Sequence, residues 1–289
     1  MGGRARWKLS APVAWLVSRH GKARALRPVL GPSLGVGVRT IRTVDTDAFG
    51  AFSREVERRG AALQAARAKI DAGSFAHPGA TVLLASEGSF GPHPAIPFLA
   101  LGEELVLLKD LRTGLEVAGQ DIGPSTNFAH RFLTHPDEAV TFARSCGFPA
   151  HGMIVLGARD GVPEPGTFAC KTARTPEALA EAVARAVDAC GSAFVETDMR
   201  AHRNPTRMTA IRRAARDLVR RLASVCPECA QPGFWRVRTL PGLPCSDCGA
   251  PTRRPRAEVL RCDGCGYEEE RKAPGEPWAD PGSCAACNP

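Results

Sequence analysis

The sequence predicts an α/β domain with a small metal-binding module attached, and two observations lead there. From residue 11 to about 222, short apolar, β-branched runs bounded by Gly, Pro and Asp alternate with helical stretches, the pattern of a mixed, mainly parallel sheet flanked by helices. Beyond residue 222, eight of the eleven cysteines fall in four Cys-x-x-Cys pairs, the spacing of thiolate knuckles around zinc. The expected organisation is a basic tail over residues 1–10, an α/β domain over 11–222 and a double zinc-ribbon-like module over 223–289.

Met1 to Lys8 is basic, and Val13–Ser18 follows as the first strand. Its apolar run is too short to span a membrane and has no clear small-residue cleavage site, so a cytoplasmic chain without membrane association is expected. Gly35–Val44 and Thr81–Ser86 read as strands on either side of a helical stretch, Ser53–Asp71, that Gly60 weakens. Leu105–Lys109 and Leu115–Gln120 are two further strands. Helix Pro136–Ser145 stops at Gly147, strand Met153–Leu156 follows, helix Pro176–Ala189 stops at Gly191, and Phe194–Thr197 is the last strand. The best-signalled helix is Pro205–Ala223. Asn204 suits its cap, Pro205 its first turn, and Met208, Ile211, Ala215, Leu218, Val219 and Leu222 make one apolar stripe.

In such sheets ligands sit beyond the carboxyl ends of strands, and the loops expected there are unusually polar. His20, Gly21 and Lys22 follow the first strand, where a glycine allows close backbone approach and an ammonium suits phosphate. Asp45 and Asp47 follow the second, and Glu87 through Pro94, with His93, the third. His151 lies in Phe148-Pro149-Ala150-His151-Gly152, placed to orient a base or carry a proton. Asp198, Arg200, His202, Arg203 and Arg207 crowd the start of the best helix, whose unpaired N–H groups also favour anions. Asp45, Asp47, Glu55 and Glu87 are hard oxygen ligands of the kind Mg²⁺ uses together with phosphates. Each residue alone reads equally well as a cap or a solvated turn; the set in order points to a charged pocket.

The cysteine pairs are Cys226/Cys229, Cys245/Cys248, Cys262/Cys265 and Cys284/Cys287, separated by 15, 13 and 18 residues. Eight thiolates suffice for two four-sulfur zinc sites, and with every position taken by sulfur neither site keeps a place for a catalytic water, so both zincs are expected to be structural. The 15- and 18-residue gaps favour two sequential ribbons, with an interleaved pairing left open. Two Zn²⁺ and eight thiolates lower the formal charge from +8 to about +4, which weakens the basic signal. Arginine is still dense at Arg212, Arg213, Arg216, Arg220 and Arg221 and at Arg253, Arg254 and Arg256, with Phe234, Trp235, Tyr267 and Trp278 in the module. This supports an alternative in which the module reads nucleic acid or a protein partner without catalysis.

Val44-Asp45-Thr46-Asp47, Ala85-Ser86-Glu87-Gly88-Ser89-Phe90-Gly91-Pro92-His93-Pro94, Glu196 through Met208, Gly242-Leu243-Pro244-Cys245 and Cys287-Asn288-Pro289 together resemble a bacterial family of unknown function over nearly the whole chain. Residues 12 to about 222 also resemble, remotely, the inosine triphosphate pyrophosphatase superfamily. The likeness lies in Arg19-His20-Gly21-Lys22, in Glu55 ahead of Ala65 through Lys69, in Glu87-Gly88-Ser89, in the Phe148–Gly152 loop and in His202-Arg203. It departs at His20, where that superfamily has Asn, and in the missing Tyr-Asp of the base-reading loop. The resemblance implies a Mg²⁺-dependent hydrolase of a nucleotide or other phosphorylated small molecule. Lys22, Arg200, His202, Arg203 and Arg207 would hold phosphates, with His20, His93 and His151 beside them. Glu55 and Glu87 would bind Mg²⁺, and Asp45, Asp47 or Asp198 would position water.

Overall fold

The structure, a computed structural model, describes residues 8–46, 62–93 and 95–289; Asp47, Glu55 and the first part of the expected helix 53–71 lie outside the described residues. The chain divides into two compact units, Lys8–Val219 and Arg220–Pro289. Among the described residues no helix is long and apolar enough to cross a membrane.

In the first unit, β1 (Val13–Val17), α1 (Ala23–Leu34), β2 (Gly37–Ile41), α2 (Ala62–Ala76), β3 (Val82–His93), β4 (Ile96–Asp110) and β5 (Leu115–Gly123) build a sheet of order β2-β1-β3-β4-β5. β1 runs parallel to β2 and β3, whereas β3–β4 and β4–β5 are antiparallel. A second sheet, of order β6-β9-β7-β8, contains β6 (His130–Leu133), β7 (Met153–Arg159), β8 (Val162–Cys170) and β9 (Ser192–Thr197), all antiparallel. The expected mainly parallel sheet is therefore corrected. Strands joined by tight turns, such as β4 and β5 at Gly114 with φ +74°, have no room for the helical crossover a parallel pair requires.

Three further differences have local causes. The expected polar loop Glu87–Pro94 is instead, through His93, a continuation of β3, because it pairs residue by residue with β4. Helix α1 carries Pro28 and Pro32, which break the helical signal in the sequence. β6 and β8 are short or mostly exposed and carry no strong apolar alternation.

The core is layered. α2 covers one face of the first sheet, with Ala66 and Ile70 packed among Val17, Ile41, Leu83, Ala85, Leu105 and Leu107; full burial of each leucine contributes about 1.5–3 kcal/mol. A further helix, α5 (Pro205–Ala223, whose last turn enters the second unit), lies along β5. A Cβ at Gly119 would overlap the backbone of Ala214 and Leu218, so glycine is what admits the helix. Asp217 also accepts the Gln120 N–H at 2.9 Å. In the second sheet, Leu133, Met153, Val155 and Val195 face α3 (Asp137–Ser145) and α4 (Pro176–Cys190), while Ile154, Leu156, Ala158 and Phe194 lie on the opposite face.

The second unit has one antiparallel sheet, β10 (Trp235–Pro241), β11 (Pro255–Arg261) and β12 (Glu268–Lys272). Its core is Phe234, Leu260, Cys226 and Cys262 with Tyr267 against them. So few apolar side chains do not hold about seventy residues by burial alone.

Candidate anion site and metal centres

The first sheet reverses its winding between β1 and β3, with β2 on one side and β3–β5 on the other. At such a switch point successive connections leave on different sides and open a crevice at the carboxyl ends of the strands. Lys22, one turn beyond β1, sits at this point. Its Nζ donates to the Ser86 carbonyl at 2.6 Å and lies 3.4 Å from Ser86 Oγ. β3 outruns β1 here, since its pairing with β1 covers Val82–Leu84, and the β3–β4 pair beyond it carries charge on both faces. On the α2 face Glu87 is ion-paired with Lys69. On the other face Glu104 of β4 stands directly opposite Gly88 and accepts from Arg207 Nε at 2.5 Å. Arg207 also donates to the Met199 carbonyl, and its guanidinium lies 5.2 Å from the Phe90 ring centroid. A side chain at Gly88 would come within 2.8 Å of both Arg207 Nη2 and Glu104 Oε1; the glycine makes room for that pair.

Five ionisable groups, Lys22, Lys69, Glu87, Glu104 and Arg207, are thus each less than 10% exposed. Burial, reinforced by Arg207, lowers the Lys22 ammonium from 10.5 to about 7, and burial raises the Glu104 carboxyl against the pull of Arg207 and Lys22. Removing so many charges from water costs several kcal/mol per ion before pairing. Buried, shifted groups brought together in this way make the cluster the candidate site of this unit.

The Asp198–Arg207 segment carries a second cluster. Asp198 is fully buried, and Arg200 donates to both of its carboxylate oxygens, at 2.7–3.2 Å. Arg203 Nε lies 4.0 Å from the same carboxylate, and among the described residues its buried Nε and Nη2 have no hydrogen-bond acceptor. His202 stacks on His20 with centroids 5.3 Å apart and planes within 9°; burial, then the neighbouring His20, lowers its pKa. Asn204 caps α5, accepting the Arg207 N–H at 3.0 Å and donating to Asn127 Oδ1 at 2.8 Å.

The second unit holds two four-sulfur groups. Cys226, Cys229, Cys262 and Cys265 form one, and Cys245, Cys248, Cys284 and Cys287 the other, with all sulfurs of a group within 4.8 Å. The favoured sequential pairing is corrected to the interleaved one, first knuckle with third and second with fourth. Cross-knuckle Sγ–Sγ distances are 3.6–3.8 Å. A tetrahedron with 2.3 Å metal–sulfur bonds has edges of about 3.8 Å, whereas a disulfide needs about 2.05 Å, so the geometry fits a metal ion. Each knuckle is closed the same way: the N–H of the residue after its second cysteine, Ala230, Gly249, Gly266 or Asn288, bonds to the carbonyl of its first. The thiols of one group cannot all ionise by themselves. Backbone N–H groups bring Cys284 down to about 7, while the adjacent Cys248 and Cys245 sulfurs push Cys287 up to about 12; a bound cation would remove that conflict.

A family model described as Domain of unknown function (DUF6671) matches residues 74–289. The chain belongs to this family. No curated protein matches it. The DUF6671 match takes in Glu87, Glu104, Arg207 and all eight knuckle cysteines, whereas His20, Lys22 and Lys69 come from the preceding segment.

Of the residues singled out in the sequence, the structure gathers Lys22, Glu87 and Arg207 around the switch point and His20, Asp198, Arg200, His202 and Arg203 beside the start of α5. His151 ties to the same helix end through Thr206, with its Nε2 2.9 Å from the hydroxyl. Asp45 is exposed and paired with Arg19 at 2.8 Å, and His93 lies apart, six residues along β3 from Glu87, about 20 Å at the rise of a strand. Asp198 has both oxygens engaged by Arg200, which anchors the loop. Sequence reading missed Glu104. Its signal was phase, since Glu104 alternates with the apolar Val106 and Leu108 and so had to point inward.

Proposed function

We propose that the unit of residues 8–219 binds a nucleotide or related phosphorylated small molecule and hydrolyses it with Mg²⁺, and that the module of residues 220–289 is a structural attachment built on two zinc ions. The supporting observation is the gathering of Lys22, Lys69 and Arg207 with Glu87 and Glu104 at the switch point among the described residues, next to a helix N-terminus and the Arg203 donors. A polyanion supplies the acceptors that such a site wants. Lys22, with a pKa near 7, can hold a phosphate oxygen as the ammonium and exchange a proton at neutral pH. Arg207 presents a planar donor fork, already positioned by Glu104, to the same oxygens.

Mg²⁺ takes one or two carboxylates together with substrate phosphates. Among the described residues, Glu87 and Glu104 are both engaged by cations and make no cage by themselves, so the metal would enter with the phosphates, where it would neutralise developing charge. For the module, an all-sulfur tetrahedral donor set favours zinc, with iron the competing metal.

The small-molecule reading is favoured over nucleic-acid binding by the state of the module's arginines. Arg236, Arg238, Arg256, Arg261 and Arg271 are each ion-paired with an acidic residue of the same module, which leaves less positive charge for a polynucleotide. The test is a panel of nucleoside triphosphates with the full, metal-loaded chain, read as phosphate or pyrophosphate release with Mg²⁺ and as thermal shift. Turnover accompanied by stabilisation is expected; neither response to any member of the panel ends the reading.

A further inference from the structure

We infer that the edge of the second sheet is a stacking platform for an aromatic base, so that the ligand of the anion cluster is a nucleoside phosphate rather than a phosphorylated sugar or acid. The inference rests on the reading of residues 8–219 as a phosphate site. On the face of the second sheet turned away from α3 and α4, Phe132 of β6 stands beside Phe194 of β9 across the strand pair, with His130 two positions before it and Phe128 two positions earlier, ahead of the strand. Ring centroids are 6.1 Å apart for Phe128–His130, 5.2 Å for His130–Phe194 and 4.9 Å for Phe132–Phe194. Phe194 is buried at 3%, whereas Phe132 is 43% exposed and His130 is also exposed. The row therefore has one buried ring, Phe194, as its anchor and two exposed rings on an edge strand.

Its position gives it a ligand. The row starts at Phe128, next to Asn127, whose side chain accepts from Asn204 at 2.8 Å, and Asn204 caps the helix turn that carries Arg207. Thr126, two residues before Phe128, lies together with Phe90 against Gly102, and Phe90 is the ring beneath the Arg207 guanidinium. Cations for a phosphate chain thus lead into rings for a base, with one segment, Thr126–Phe128, touching both. A nucleoside phosphate has that order of chemistry: an anionic end and an aromatic end. Base–ring stacking is tolerant of base identity because every base offers a π face, so purine and pyrimidine nucleotides should both engage the row.

The experiment compares inorganic tripolyphosphate with ATP and CTP on the full, metal-loaded chain, by calorimetry, for the parent, Phe132→Leu and Phe132→Ala. The leucine keeps apolar cover over Phe194 and removes only the ring. The expected result is at least tenfold tighter binding of nucleotides than of tripolyphosphate by the parent, and loss of that margin in both variants with tripolyphosphate binding unchanged. Equal affinity of the parent for tripolyphosphate and nucleotides, or variants that keep the margin, overturns the platform and leaves the phosphate site standing. If the parent binds neither tripolyphosphate nor nucleotides, the phosphate reading fails, and the platform with it.

Discussion

Interleaved pairing of the knuckles can be tested by exchanging serine for whole knuckles two at a time. Sulfurs of the first and third knuckles approach to 3.6–3.7 Å across 33–39 residues of chain, and those of the second and fourth to 3.7–3.8 Å across 36–42. Replacing Cys226, Cys229, Cys262 and Cys265 deletes one complete centre and leaves the other with all four ligands. Replacing Cys226, Cys229, Cys245 and Cys248 leaves two half-centres of two thiolates each. A four-thiolate structural zinc site is worth about 10–16 kcal/mol at neutral pH, and a half-site loses most of that together with its tetrahedral closure. Metal content of the purified full chain, by plasma emission spectroscopy after dialysis against a chelator, is therefore expected to fall from about two per chain to about one in the first variant and to near zero in the second. Sequential ribbons give the opposite order, and that result would refute the pairing. An equal loss in both variants, with the parent retaining two, would show that the centres cannot form singly and would refute their treatment as separate sites.

Two further outcomes follow from single residues. Lys22 is held at about 7 in the fold against an ordinary 10.5, so between these values the unfolded chain binds the proton that the native state has released. Stability of the parent should rise by about 1.4 kcal/mol per pH unit through that window from this group and be flat with respect to it below pH 7. The urea stability of Lys22→Met relative to the parent, measured from pH 6.5 to 10, should favour the variant most at the acid end; a difference independent of pH would contradict the burial argument. Ala230 holds φ +59° at the knuckle position where Gly249 and Gly266 have φ +69° and +76°. Left-handed backbone costs a non-glycine residue about 1–2 kcal/mol, while glycine forfeits about 0.4–1 kcal/mol through the unfolded chain. Ala230→Gly is thus expected to stabilise the module by about 0.5–1 kcal/mol in thermal unfolding, and destabilisation would count against the assigned backbone.

The cysteine spacing made the metal centres legible because a knuckle is local: four residues and one backbone hydrogen bond define it. Which knuckles meet is a long-range fact that spacing does not encode, and the gap lengths favoured the wrong partners. Helix α5 was legible for the same local reason, with Asn204, Pro205 and the apolar stripe all within one segment. The long β3–β4 arm was not, since Glu87 through His93 look like a polar loop until their pairing with β4 is known. Lys69 and Glu104 escaped notice because each is a charge inside an apolar element, and such residues are ordinarily assigned to the solvent face. In each case the sequence phase was inward and the chemistry argued outward; at this crevice the phase prevailed.

That contradiction separates binding from stability as the reason for the Arg207–Glu104 pair. Both side chains are almost fully buried, and Glu104 Oε2 has no hydrogen-bond partner among the described residues, so the pair is incompletely satisfied. Losing only the cation, in Arg207→Met, leaves a buried carboxylate alone and should cost about 3–5 kcal/mol. Removing both charges, in Arg207→Met with Glu104→Leu, replaces an imperfect ion pair by apolar volume, which is commonly neutral or stabilising by about 1–4 kcal/mol. If the pair exists to present a guanidinium to phosphate, the double variant should unfold no more easily than the parent in urea while its affinity for tripolyphosphate falls at least tenfold, by the loss of a charge-assisted contact. A double variant that loses stability as severely as Arg207→Met would mean that the pair is part of the scaffold. A double variant that keeps full affinity would remove Arg207 from the anion site and move the reading to Lys22 and Arg203.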